Sequence, residues 1–176
     1  MKDKRFFHYL EVVIFSYIIL AFIGSIDNAY AFFHDQDAEN PDFEKSKHII
    51  QSLFDSVNNA STNYQNDIAT LNIPLLNNNN NNNNNNITIV KKNQDYIDNL
   101  KEIISLAKKT IVQQEYKSIL NDYIVSIESE MSSYNHYNKH LLTGNLTENK
   151  LSMDLLSKAF NYETKAINEY KQLELQ

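Results

Sequence analysis

The chain has 176 residues, no cysteine, two glycines, two prolines and a formal net charge of -6. Without cysteine there is no disulfide framework, no thiolate metal site and no cysteine catalysis, and Lys and Arg scattered among acidic residues argue against a nucleic-acid partner, whose phosphates demand a basic stripe. Gly and Pro are too few for the turns of a β-rich or α/β protein. The expected class is therefore all-α: one antiparallel helical bundle whose stability comes from packing.

Residues 1–31 read as a signal peptide. Lys2, Lys4 and Arg5 precede an uncharged, mainly apolar run from Val12 to Ile26, and Ala29-Tyr30-Ala31 places small residues at the two positions that signal peptidase reads. Glu11 and Asp27 close the run below the length of a membrane-spanning helix. The alternative is an uncleaved signal anchor lengthened by Phe6 to Leu10, the only membrane contact expected. Both readings place the remainder of the chain on the far side of the membrane.

Residues 32–40 are acidic and aperiodic and read as a tether. A first helix is expected over 41–73, with Asn40 as N-cap, Pro41 at the first helical position, and Asp42 and Glu44 complementing the dipole. Ile50, Phe54, Val57, Ser61, Tyr64, Ile68 and Leu71 recur at steps of four and three, and Pro74 bounds the helix. The run from Asn77 to Asn86 has nothing to bury, so 74–92 is expected to be a disordered linker.

Residues 93–176 are expected to form a long helix plus a C-terminal helix. Tyr96, Leu100, Ile103 and Ala107 make one stripe, with Ile97, Ile104 and Ile111 beside it. Tyr116, Leu120, Tyr123, Ile127, Glu130, Tyr134, Tyr137 and Leu141 make a second. The two are out of phase near 112–116, which means either a bend or a chain reversal. With no Gly, Pro or Asn between Thr110 and Leu120, the spacing favours one continuous helix, and so three long helices in all; a reversal would make four. Thr143-Gly144-Asn145 is the clear turn. Beyond it Thr147 is the expected cap and Leu146 the expected staple onto Leu151. Leu156, Phe160, Glu163, Ile167 and Tyr170 then form the stripe of a helix folded back antiparallel.

Few residues offer chemistry. His136 and His140 are four apart, the spacing of two metal ligands on one helical face, but both lie off the apolar stripe and are expected to be solvated. Glu44 and His48 share that spacing. Glu130 and Glu163 interrupt apolar stripes on helices expected to face one another, within about one helical turn of being level. Facing carboxylates hold a cation or share a proton, yet the Glu-x-x-His pairs of carboxylate-bridged metal bundles are missing, so stripe-edge glutamates reaching solvent or lysine are expected. Three N-glycosylation patterns begin at Asn59, Asn86 and Asn145.

Cleavage after Ala31 makes Phe32 the first residue and His34 the third. The free α-amine, the two following backbone nitrogens and the imidazole then close four nitrogens in the square-planar arrangement suited to Cu(II) or Ni(II). Phe32, Phe33 and His34 so placed resemble the amino-terminal copper and nickel motif of some secreted proteins. No phosphate loop, G-x-S-x-G or H-E-x-x-H is present. The expected function is a non-catalytic extracytoplasmic helical bundle that acts as an interaction or structural module, meeting a protein partner or another copy through helical faces. The alternative is a secreted metal-binding protein that uses Phe32, Phe33 and His34.

Overall fold

The computed structural model describes residues 42–71 and 82–175. The expected signal peptide, the tether, Asn40 and Pro41, and residues 72–81 lie outside them. The described residues form four helices and no strand: α1 (Phe43–Thr70), α2 (Asn82–Ala107), α3 (Gln114–Thr143) and α4 (Leu146–Leu173). None of these helices is long and apolar enough to cross a membrane.

Asp42, not Asn40, caps α1. Its carboxylate accepts the backbone N–H of Lys45 at 2.7 Å, satisfying one of the donors that a helix start leaves open. The helix ends at Thr70, where Leu71 turns extended with ψ 94°. α2 starts at Asn82, inside the asparagine run and well before the expected boundary after residue 92. Asparagine is a poor helix former, but extending an existing helix adds one hydrogen bond per residue fixed. The Asn86 amide also donates to the Leu141 carbonyl at the end of α3, 2.9 Å away.

The expectation of one helix through 112–116 is corrected, because the chain reverses after Ala107 with neither Gly nor Pro. Thr110 Oγ1 donates to the Leu106 carbonyl at 3.0 Å and takes up an acceptor left by the ending helix. Val112 is buried in the core, and the Gln113 N–H donates to Ser46 Oγ of α1 at 2.9 Å. Tertiary partners thus do what a turn residue does elsewhere. At the other end Gly144 takes φ +69° and its N–H donates to the His140 carbonyl, the left-handed helix stop expected there. The next cap is Asn145, whose side chain accepts from the Thr147 N–H at 2.9 Å. Thr147 is therefore not the cap, and Leu146 is the first helical residue and 72% exposed, leaving no staple onto the exposed Leu151.

The helices run up, down, up, down. α1 and α3 are parallel, as the ring pairs Phe43–Tyr116, Phe54–Tyr123 and Tyr64–Tyr134 show. Large side chains of α1, α2 and α3 meet in one core that includes Ile50, Leu53, Ile97, Leu100, Ile119 and Ile127. At its upper end Tyr64 stacks on Tyr96 with ring centroids 4.7 Å apart, and both meet Tyr134 edge-on. A polar relay fixes the register of the three helices there. Tyr64 Oη donates to Asn93 Oδ1, and Asn93 Nδ2 donates to Asn138 Oδ1, each at 2.6 Å. Buried and partnered amides of this kind specify one alignment, because a slipped register leaves them unsatisfied.

α4 packs differently. Its inner face is Ser152, Ala159 and Ala166, at intervals of seven, against Ser126, Ser129 and Ser133 of α3. Small side chains let the backbones close in, so that Ser126 Oγ and Ser133 Oγ donate across the interface to the carbonyls of Ala159 and Ser152, both at 2.8 Å. The large residue Phe160, expected in the core, is 42% exposed.

Candidate functional site

α1 and α4 approach one another least among neighbouring helices. Their lower ends touch, where Phe54 meets Tyr170 edge-on at 5.5 Å and Lys47 pairs with Glu174. Above that contact they leave a seam with a cavity of about 80 Å³ behind it, roomy enough for several water molecules. Val57, Asn58 and Ser61 of α1 form one wall, and Leu156, Ala159, Phe160 and Glu163 of α4 the other. Tyr96, Ser126 and Glu130 form the floor.

The two glutamates reach this cavity from different heights. The pairs Ser126–Ala159 and Ser133–Ser152 set the α3–α4 register, which puts Glu163 level with Asp122 rather than with Glu130. That offset is about 12 Å along the axis at 1.5 Å per residue, larger than the single turn the sequence suggests. Helical side chains lean toward their own N-terminus. In antiparallel helices the leanings are opposite, so Glu130 points down, Glu163 points up, and the carboxyl groups converge on the cavity.

Both glutamates are part-buried at the cavity rather than fully solvated at a stripe edge. Burial raises the Glu130 carboxyl to about 7; Tyr96 Oη donates to its Oε1 at 2.9 Å and opposes the rise, while the Glu163 charge adds to it. Burial likewise raises Glu163. The tyrosine hydroxyls of Tyr96, Tyr123 and Tyr134 are pushed well above their ordinary range, burial first, with the charge of Glu130 contributing in each case. Chemically, the site is a carboxyl that takes up or releases a proton near neutral pH, facing a second carboxyl across a small, largely apolar cavity.

The histidine pair divides. His136 Nδ1 lies 2.5 Å from Glu148 Oε2 of α4, and that hydrogen bond holds the Glu148 carboxyl below its usual range. His140 is buried, not solvated, with Nδ1 3.0 Å from the Asn145 carbonyl. The two imidazoles thus fasten the α3–α4 turn at different places. Among the described residues no three His, Asp or Glu side chains are grouped to hold a metal ion. Phe32, Phe33 and His34 lie outside the described residues, and so does their Cu(II) or Ni(II) geometry. Glu44 and His48 are exposed on α1.

Sequence reasoning singled out Glu130 and Glu163, placed Ser61 and Tyr96 on apolar stripes without giving them a role, and missed Asn58 and the relay through Asn93 and Asn138. A signal existed for the relay: Asn93 stands three before Tyr96, and Asn138 four after Tyr134, so both extend apolar stripes. Comparison of the chain with protein-family models, with curated proteins and with solved structures finds no match.

Proposed function

We propose that the chain is a non-catalytic, exported helical bundle whose α4 presents a contact surface to another protein, which includes a second copy of itself. One observation carries this reading. Leu146, Met153 and Phe160 stand seven residues apart on α4 and are 72%, 49% and 42% exposed, while the small residues at its inner face do the packing. Seven-residue spacing aligns them in a row along one side of the helix, the geometry by which one helix receives another. The apolar area they leave in water forgoes about 25 cal/mol per Å², which a partner recovers. Export is supported by the charged start, apolar run and Ala29-Tyr30-Ala31 of the leader.

A photo-crosslinking residue at Met153 in the full chain, expressed in its own host, tests the contact. The expected result is a discrete covalent adduct, mapped by mass spectrometry to a defined surface, that disappears when Leu146→Glu is added while the helical circular-dichroism signal remains. Recovery of uncrosslinked chain alone, with light scattering giving a monomer at every concentration, rules the reading out. Intact mass of the exported protein tests the leader: a chain beginning at Phe32 supports cleavage, and a retained leader overturns it.

A further inference from the structure

The fold separates the three N-glycosylation patterns. Asn59 and Ser61 are half-buried in the middle of α1, and Ser61 lines the α1–α4 cavity. Offering them to an enzyme means opening the helix and its hydrogen bonds around them. Asn86 is half-buried in α2, and its Nδ2, the atom to which a glycan is joined, donates to the Leu141 carbonyl at 2.9 Å. A sugar on that nitrogen has to fit the joint between α2 and α3.

The third pattern sits differently. Asn145, Leu146 and Thr147 are all exposed, within a run of six exposed residues from Leu142 to Thr147 that carries the chain from α3 into α4. The turn that presents them is fixed. Gly144 holds φ +69°, the Asn145 N–H donates to Thr143 Oγ1 at 3.3 Å, and the Asn145 carbonyl lies 3.0 Å from His140 Nδ1. Within the pattern itself Asn145 Oδ1 accepts the Thr147 N–H at 2.9 Å, an Asx turn. That bond occupies the carbonyl oxygen, and the planar amide then carries Nδ2 on its other side, away from the start of α4.

We propose that Asn145 is a site of N-linked glycosylation, taking an oligosaccharide from a lipid diphosphate carrier. A fixed, exposed surface turn is where such a bulky, hydrated group is accommodated. In the transfer Nδ2 attacks the anomeric carbon, the bond from that carbon to the diphosphate oxygen breaks, and the lipid diphosphate leaves as Nδ2 gives one proton to the transferring enzyme. The product keeps the amide carbonyl, so Oδ1 goes on capping α4. Export is what brings the chain to that enzyme, so the inference rests on the export half of the proposed function.

Glycopeptide mapping by mass spectrometry, on the full chain recovered from its own host, reads the occupancy of each pattern. Glycan is expected on Asn145, with Asn59 and Asn86 bare. Thr147→Ala removes the hydroxyl that the pattern requires but keeps the backbone N–H that Asn145 caps, so the glycan should vanish while the thermal melt of the deglycosylated chain stays unchanged. Thr147→Ser keeps the pattern and should restore the glycan. A bare Asn145 in the native chain, glycan on Asn59 or Asn86 in its place, or a modification of Asn145 that survives Thr147→Ala overturns the inference. The N-terminal peptide of the same sample tells the two readings apart. A bare Asn145 on a chain beginning at Phe32 leaves export standing, whereas a bare Asn145 on a cytosolic chain that still holds residues 1–31 takes export down with it.

Discussion

The two faces of α4 that meet other helices are built on opposite principles. Against α3 the contact is small residues at close range, backbone carbonyls accepting from serines, and a turn closed by a left-handed glycine. Against α1 it is a ring contact and an ion pair at the lower end, then a largely apolar cavity that Glu130 and Glu163 enter. Helices joined by a short turn are held side by side by the chain itself, so small side chains can zip them along their length. α1 and α4 have no such connection, and α1 is committed through its large side chains to α2 and α3. The seam is what remains when three helices share a core and the fourth binds only one of them closely.

The largest expected effect strikes the core on which both faces depend. Ile127 is 1% exposed, and Ile127→Asp buries a carboxylate without a partner at a cost of about 4 kcal/mol or more. Loss of the cooperative thermal transition followed by circular dichroism is expected, and a melt near that of the native chain would refute the core assignment.

Next in size is the pH dependence of the seam. The folded-state Glu130 carboxyl titrates at about 7 against an ordinary 4.5, so the folded protein binds the extra proton between those values. The associated stability is fully present below about pH 4.5 and is lost as pH rises through about 7, a change of about 3 kcal/mol. Glu163, also raised, acts in the same direction. Urea unfolding of the native chain should show a midpoint that falls across this window, and Glu130→Gln should flatten most of the fall.

The close α3–α4 face is tested by crowding it. Ala166 is fully buried, and Ala166→Leu should destabilise by about 2 kcal/mol through overpacking. Tolerance of leucine there, measured as an unchanged urea midpoint, would mean that α4 sits less tightly than its serine bonds indicate. The smallest effect is expected on the outer side of the same helix. Met153→Asp exchanges a side chain 49% exposed and should shift stability by less than about 1 kcal/mol. A loss as large as that of Ile127→Asp would show that the outer row is packed in the isolated chain.

Periodicity in the sequence located α1, α4 and the C-terminal end of α3 to within a few residues, because steps of four and three report a buried face directly. It misjudged Phe160, since spacing says which residues share a face but not how wide the buried part of that face is. The reversal after Ala107 carried no local signal: Thr110, Val112 and Gln113 form it with Leu106, the core and Ser46, and the last two exist only once α1 is docked. For the acid pair, the stripe positions of Glu130 and Glu163 were visible, but their protonation behaviour was not.

What the sequence by itself determined is the class and the direction of the chain: helices follow from the rarity of Gly and Pro, and the sharp α3–α4 turn from Gly144, whose φ of +69° suits a residue without a Cβ. The tertiary structure decided the number of helices, the exposure of the outer α4 row and the raised pKa of Glu130. Each of these depends on distances between residues far apart in the chain. A carboxyl's titration is set by the water and charges around it, and for Glu130 those belong to α1, α2 and α4.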